Sequence, residues 1–210
     1  SKKTTIQAAA PDKFSPSSFV QKHAQKLPSK IFSVSRALCA RDHRMKLHSR
    51  KLNEADFQAM QELLLKEGPN EWNYITDKSI AHQFQLINQG KALPVLAEET
   101  SIVGFAVLIM KEACPSKLSK YAALADIAYI NDVVVASSQS GKGLGSQLLK
   151  ESIKLAGNEK CSHVYIERHE ENLASAGMMR KAGFELIETF YDPNKRTTGS
   201  RKTSVLSICT

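Results

Sequence analysis

No run of apolar residues in this sequence approaches the roughly twenty that a helix needs to cross a bilayer, so no helical membrane span is expected. The four cysteines, Cys39, Cys114, Cys161 and Cys209, contain no CxxC pair, which argues against a zinc site or a redox dithiol. Scattered single thiols fit a reduced, cytoplasmic setting. No histidines fall at metal-ligand spacing: His23, His43, His48, His82 and His163 read as surface or packing residues, and no metal is expected. Acidic residues are scarce at one end of the chain. Residues 1–50 hold 11 Lys or Arg against only Asp12 and Asp42, so the net charge of +8 belongs to this end and the remaining 160 residues carry −1.

What is present divides the 210 residues into a basic arm, residues 1–43, and a domain, residues 44–210. The arm is rich in Ser and short of Glu, a composition shared by organelle transit peptides, nucleic-acid-binding arms and solvated tails. Its apolar clusters FSPSSFV and IFSVSRALCA are dense enough to dock on a surface. No aromatic-interleaved basic motif accompanies it, so nucleic acid is not the expected partner. Within the domain, MKLHSRKL alternates as a strand, and NEADFQAMQELLL places Phe57, Met60, Leu63 and Leu64 on one helix face behind the cap residue Asn53. DKSIAHQFQLINQG predicts a second helix closed by Gly90. ALPVLAEETSIVGFAVLIMKE predicts an antiparallel hairpin. A strand through Val135, a helix from about Lys142 to Ala156, the strand SHVYIER, the helix LASAGMMRKAG and the strands FELIETFY and TSVLSIC complete the pattern. The order βααβββαβαββ predicts a mixed sheet of α/β class flanked by helices.

The segment YINDVVVASSQSGKGLGSQLL joins a strand to a helix through glycines at 141, 143 and 145. Unpaired N–H groups and the helix dipole favour an anion there, and glycines let a phosphate or pyrophosphate approach the backbone. A P-loop is excluded because Lys142 is followed by Gly143 where Ser or Thr is required. A dinucleotide fingerprint would place Ser146 at the third glycine and Glu167 as the ribose acid, but the preceding hairpin does not suit that fold. A glycine turn without ligand also stays open.

DVVVASSQSGKGLGSQLL followed by ENLASAGMMRKAGFE resembles the acetyl-CoA site of the Gcn5-related N-acetyltransferases, over roughly residues 45–190. Gly143 and Gly145 match the glycines of that family's Q/R-x-x-G-x-G/A motif, Asn172 and Ser175 match its N-x-x-A/S motif, and Gly183 with Phe184 closes it. The resemblance implies a mostly antiparallel mixed sheet with a splayed parallel pair. It implies acetyl-CoA as cofactor: Val133, Val134 and Val135 would pair with the pantetheine arm, the loop of Gln139, Ser140, Gly141, Lys142, Gly143, Leu144 and Gly145 would take the pyrophosphate, and Asn172 with Ser175 would bind the pantetheine side. Ser140 stands where the family usually has Arg or Gln, which removes a side-chain contact and leaves the backbone cradle.

The implied reaction is acetyl transfer to a primary amine, of a small molecule or a protein, by direct attack in a ternary complex. The strand YINDVVV is similar to the I-E-D-(I/V)-x-V strand of glucosamine-phosphate and related small-amine acetyltransferases, with Asn131 in place of Glu. Catalytic candidates are therefore Tyr129, Asn131 and Asp132. Strand alternation puts Tyr129 and Asn131 on one face and Asp132 on the other, unless a bulge re-aims it. His169 and Glu170 are further candidates, with a solvated loop as their plainer reading. Met179 occupies the family's usual general-acid Tyr position and cannot donate a proton, and Tyr165 is either its substitute or core. The acceptor is expected against EGPNEWNYITD, with Trp72 and Tyr74 as flat walls and Glu67, Glu71 and Asp77 as anions. An acyl-CoA-binding module without catalysis and a nucleic-acid-associated protein are the alternatives, and a homodimer is left open.

Overall fold

The end of each element follows from local chemistry. Asn53 accepts from the Asp56 amide while Asp56 accepts from the Asn53 amide, a reciprocal box that starts α1 (Glu54–Glu67). Thr76 and Ser79 form the same box for α2 (Asp77–Asn88). The computed structural model describes residues 44–73 and 75–210; the basic arm of residues 1–43 and the acceptor candidate Tyr74 lie outside the described residues. The remaining elements are β1 (Lys46–His48), β2 (Ala92–Glu98), β3 (Ile102–Met110), β4 (Ile127–Val135), α3 (Leu144–Asn158), β5 (His163–His169), α4 (Leu173–Ala182), β6 (Glu185–Tyr191) and β7 (Lys202–Cys209). Their order is the one the pattern predicts. The helix expected from about Lys142 starts at Leu144 instead, because Gly143 takes φ 77°, which no α-helix admits. The long β3–β4 connection, which periodicity leaves unassigned, is folded into short 3₁₀ turns at Lys111–Ala113, Ser116–Lys120 and Leu124–Asp126. Among the described residues no helix is long and apolar enough to cross a membrane.

Seven strands form one sheet in the order β1-β2-β3-β4-β5-β7-β6, antiparallel except for β4 and β5. Two cores cover its faces. Leu144, Leu148, Leu149 and Ala156 of α3, with Met179 of α4, pack on one; Met60 and Leu64 of α1, with Ile80 and Leu86 of α2, pack on the other. Along β4 the alternation breaks once. Ala128 and Ile130 face the α3 side while Ile127 and Tyr129 face α1 and α2, yet further along Val133 and Val135 face α3 and Val134 faces α1 and α2. The β3 register shifts between Ala106, opposite Val133, and Leu108, opposite Ile130, so Asn131 and Asp132 together stand against one partner residue.

Arg50 locks the first helix to the sheet. Its guanidinium reaches both Asp56 oxygens, at 2.6 and 2.8 Å, and Glu98 at the end of β2, at 2.6 Å. His48 Nε2 stands 2.7 Å from the same Glu98. The Arg50 hydrogen bonds, helped by the Asn53 amide, hold the Asp56 carboxyl down at about 2 against an ordinary 3.8. A lowered carboxylate contributes stability that is complete above about pH 4 and is lost as pH falls toward 2. Asp56→Asn should therefore destabilise the domain by about 1–2 kcal/mol at neutral pH. Urea melts should show the gap from wild type beginning to close below about pH 4, and a gap constant down to the acid limit would refute the pairing.

Candidate active site

Beyond Ile130 and Ile166 the parallel pair stops pairing. The register runs from Ile127 opposite His163 to Ile130 opposite Ile166 and ends there, while β4 continues along β3 and β5 continues along β7. The edges of β4 and β5 that face each other past this point have no strand between them. A cleft of about 310 Å³ occupies the gap, lined by Asn131 to Val135 on one side, Ile166 to Arg168 on the other, and Asn172, Ser175, Met178 and Met179 at its end. Asn172 caps α4 by accepting from the Ser175 amide at 2.9 Å. Its side-chain nitrogen, Nδ2, has no partner among the described residues and is left for the cleft. Met179 is buried in the core and contributes only a thioether to the lining.

The glycine loop forms a second cavity of about 360 Å³, lined by Gln139, Ser140, Gly141, Gly143, Leu144 and Gly145 with Leu173, Gly177 and Lys181 of the neighbouring helix. Gly141 and Gly143 have φ of 76° and 77°, and a methyl group built on either meets nothing within 4 Å. The space above them is open, and a side chain would fill it. No side chain caps α3, whereas Asn53, Thr76 and Asn172 cap α1, α2 and α4, so the first-turn N–H groups of α3 point at this cavity without a side-chain acceptor. Lys142 is turned aside to Gln139 Oε1 at 2.9 Å. Lys181 is the cation at the rim that the sequence reading missed. Its spacing from Ala174, Gly177 and Met178 is that of one helix face, which was the available signal.

A third chamber, about 190 Å³, shares Asn73, Ile75, Asn131, Asp132 and Glu167 with the cleft and adds Ser79, Tyr129, Lys195 and Arg196. Here the expected alternation is corrected. The register shift brings Asp132 into the same cavities as Asn131 instead of turning it to the opposite face. Asn131 Nδ2 donates to Asp132 Oδ2 at 2.9 Å and to Gln83 Oε1 at 3.2 Å, so buried Gln83 of α2 fixes the pair. Burial raises the Asp132 carboxyl above its ordinary value, against the opposing pull of the Asn131 bond and Lys195. Tyr129 is buried, and burial pushes its phenol well up. Glu167 lies between Lys117 and Lys195, each at 2.7 Å. It is held by two lysines, not set out as a ribose acid.

Two loops close this chamber. Thr198 Oγ1 donates to the Glu71 carbonyl at 2.6 Å, and Arg196 Nη1 reaches the Trp72 carbonyl at 3.4 Å. The Trp72 ring packs against His169, with centroids 4.5 Å apart and planes tilted by 38°, instead of lining either the cleft or the chamber. His169, for which a solvated loop was the plainer reading, is 1% exposed. It accepts from the Glu171 amide through Nδ1 and donates from Nε2 to the Thr198 carbonyl at 3.0 Å, so both ring nitrogens serve the loop. Glu170 stands 3.7 Å from Lys202. Tyr165 is buried and stacks on Tyr121 at 5.7 Å, which makes it core. Among the described residues no group of His, Cys, Asp or Glu could hold a metal ion.

Residues 57–184 match the acetyltransferase (GNAT) family. No curated protein matches the sequence. Solved structures share the fold at low identity. A ribosomal-protein-alanine N-acetyltransferase from Brucella melitensis is 22% identical over 78% of this chain and 99% of its own, with a TM-score of 0.60. The aminoglycoside acetyltransferase AAC(6')-Ib, in complex with coenzyme A, is 20% identical over 78% and 95%, with a TM-score of 0.61. A Bacillus subtilis acetyltransferase in complex with CoA is 16% identical over 80% and 99%, with a TM-score of 0.58.

The loop and α4 are set against each other by close packing. A methyl built on Gly145 would lie 2.6 Å from Met178 Sδ, and Ser146 Oγ donates to the Met178 carbonyl at 3.1 Å. Gly145→Ala should destabilise by about 1–2 kcal/mol. Combined with Met178→Ala it should cost at least about 0.5 kcal/mol less than the sum of the two single changes. Denaturant melts of the four proteins measure this coupling, and strict additivity would show that the two helices do not meet there.

Proposed function

The chain belongs to the acetyltransferase (GNAT) family, and on that premise we propose that it transfers an acetyl group from acetyl-CoA to a primary amine by direct attack within a ternary complex. The observation that carries this reading is the unpaired edge of β4 from Asn131 to Val135, open to the cleft. Backbone groups inside a protein need partners, and an extended, amide-bearing chain laid along Val133, Val134 and Val135 supplies them as an added strand would. The uncapped start of α3 with the open space over Gly141 and Gly143 suits a pyrophosphate, and Lys181 adds a positive charge at its rim. The free side-chain nitrogen of Asn172 suits the pantetheine side. Acetyl-CoA, when bound, supplies an activated acyl group whose leaving atom is sulfur.

The residues of the chain then have separable tasks. A protonated amine is no nucleophile, so its proton must leave near neutral pH. Asp132 is the base we assign, because its carboxyl faces both the cleft and the acceptor chamber and burial makes it more basic than an ordinary carboxylate. Asn131, fixed by Gln83, orients Asp132 and can hold an amine or water without taking a proton. Tyr129 forms the buried floor of the chamber. Trp72 shapes its roof through its backbone carbonyl and its ring on His169. Met179 rules itself out as acid, which leaves protonation of the sulfur to water or to another residue. The same residue is the one observation favouring a second reading, acyl-CoA binding without transfer.

Acetyl-CoA should raise the melting temperature while NADH and ATP do little, since a ligand specific to the folded state stabilises it by mass action. Gly143→Val should abolish the shift by filling the space over the loop and opposing φ 77°; normal binding by that variant would overturn the loop assignment. Release of free thiol from acetyl-CoA with a panel of amines separates transfer from binding alone. If Asp132 is the base, kcat/KM should rise with pH through a midpoint above the usual carboxylate range, because the ionised form is the active one. Asp132→Asn should remove that limb and lower kcat by about 10²-fold or more. An unchanged pH profile in Asp132→Asn would exclude it.

A further inference from the structure

Arg196 is 6% exposed, yet no carboxylate among the described residues comes within 4.0 Å of its guanidinium. Its Nε donates to Thr203 Oγ1 at 2.9 Å and its Nη1 to the Trp72 carbonyl at 3.4 Å. The Thr203 hydroxyl donates onward to Asp192 Oδ2 at 2.9 Å, so that carboxylate steadies the guanidinium only through a hydroxyl. The second terminal nitrogen, Nη2, has no partner among the described residues, and the residue lines the acceptor chamber. An arginine does not escape by losing its proton at neutral pH. A buried charge of this kind is at rest only when an opposite charge reaches it. Glu167 and Asp192 act on it only from beyond ion-pair distance, and Glu167 is already gripped from two sides by Lys117 and Lys195.

The chamber thus has two unlike ends. Arg196 and Lys195 stand on the β6–β7 loop, and Asp132 faces the same space from β4. We propose that the acceptor is a small amine that also carries an oxyanion, a carboxylate or a phosphate, which Arg196 binds with Lys195 at its rim while the amine is directed to Asp132. This rests on the acetyl-transfer reading and names the substrate class of that site. The planar guanidinium matches either oxyanion as a two-point partner. At about 190 Å³ the chamber is below the roughly 300 Å³ at which pockets for drug-sized ligands begin, which suits a compact molecule. A polyamine would bring a second cation against Arg196, and a peptide amine would offer it only neutral carbonyls.

Matched pairs test this with the full chain at saturating acetyl-CoA: alanine against ethylamine and phenylalanine against phenethylamine for the carboxylate, phosphoethanolamine against ethanolamine for the phosphate. In at least one pair the anionic member should exceed its neutral partner in kcat/KM by about 30-fold or more, and the arm in which this occurs names the oxyanion. Arg196→Gln should collapse that ratio, with Arg196→Lys recovering part of it, while the thermal shift with acetyl-CoA stays that of wild type in both. The wild-type ratio decides even if Arg196→Gln fails to fold: neutral members used equally well or better would overturn the proposal. So would a folded Arg196→Gln that keeps the ratio. If no amine is turned over, the transfer reading falls by itself, and fluorescence of Trp72, the only tryptophan of the chain, decides the anion site in the presence of coenzyme A. A change produced by the anionic members alone and lost in Arg196→Gln would support the site, and its absence would overturn it.

Discussion

A backbone amide enclosed by protein has to bond to something, and past Ile130 and Ile166 the two parallel strands no longer do this for each other. Much else in the domain is arranged around that one unsatisfied edge. β4 is held by β3 on its other side, and β5 is held by β7, so the gap cannot close by simple collapse of the pair. The helices then cover the gap from both faces, with α3 and α4 delivering the glycine loop and Asn172 to one end, and α1 and α2 delivering Gln83 and the 68–76 loop to the other. The extra residue in β4 belongs to the same constraint. It lets the strand keep its pairing with β3 while presenting two consecutive polar side chains to the opening.

The charges divide along the same line. The glycine-loop cavity presents backbone dipoles at the start of α3, with Lys181 at its rim. The chamber beside Asp132 relies instead on paired side chains: Asn131 with Asp132, Glu167 between two lysines, Arg196 on Thr203. Burial is uneven among them: the Arg196–Thr203 bond is enclosed, while the two lysines on Glu167 stay 43% exposed. Asp132 is made more basic in the same chamber where Glu167 is made more acidic. For Glu167, Lys195 and Lys117 together outweigh burial; for Asp132 burial dominates.

The sequence made the cofactor side legible because it is built from contiguous motifs whose residue types are forced. Only glycine sits comfortably at φ near 77°, and Asn172 has to be a short side chain with an acceptor to cap α4. Element order was legible for a similar reason, since periodicity and caps are local. The acceptor side was not, because its parts meet only in space. Lys195 and Arg196 lie in a loop with no motif, Gln83 looks like any polar residue on a helix, and Thr203 reads as an ordinary strand residue until Arg196 is found on it. The orientation of Asp132 turned on the bulge that the sequence left open. Strict alternation is a property of regular strands, and one extra residue inverts every assignment beyond it while leaving the sequence pattern intact.

Residues 192–201, between β6 and β7, hold Lys195, Arg196, Thr198 and Gly199. Their side chains reach the Glu71 and Trp72 carbonyls and the Glu167 carboxylate, while His169 donates to the Thr198 carbonyl and Glu171 accepts from the Ser200 amide. Backbone groups are the same whatever side chain they carry, so the bonds from His169 and to Glu171 hold the loop without regard to its sequence. The strands on either side are already fixed by their ladder with each other and with β5. Such a segment is exchangeable. A lineage can rewrite it, in length or in charge, and so redirect the domain to a different nucleophile while the glycine loop and the divided strands continue unchanged.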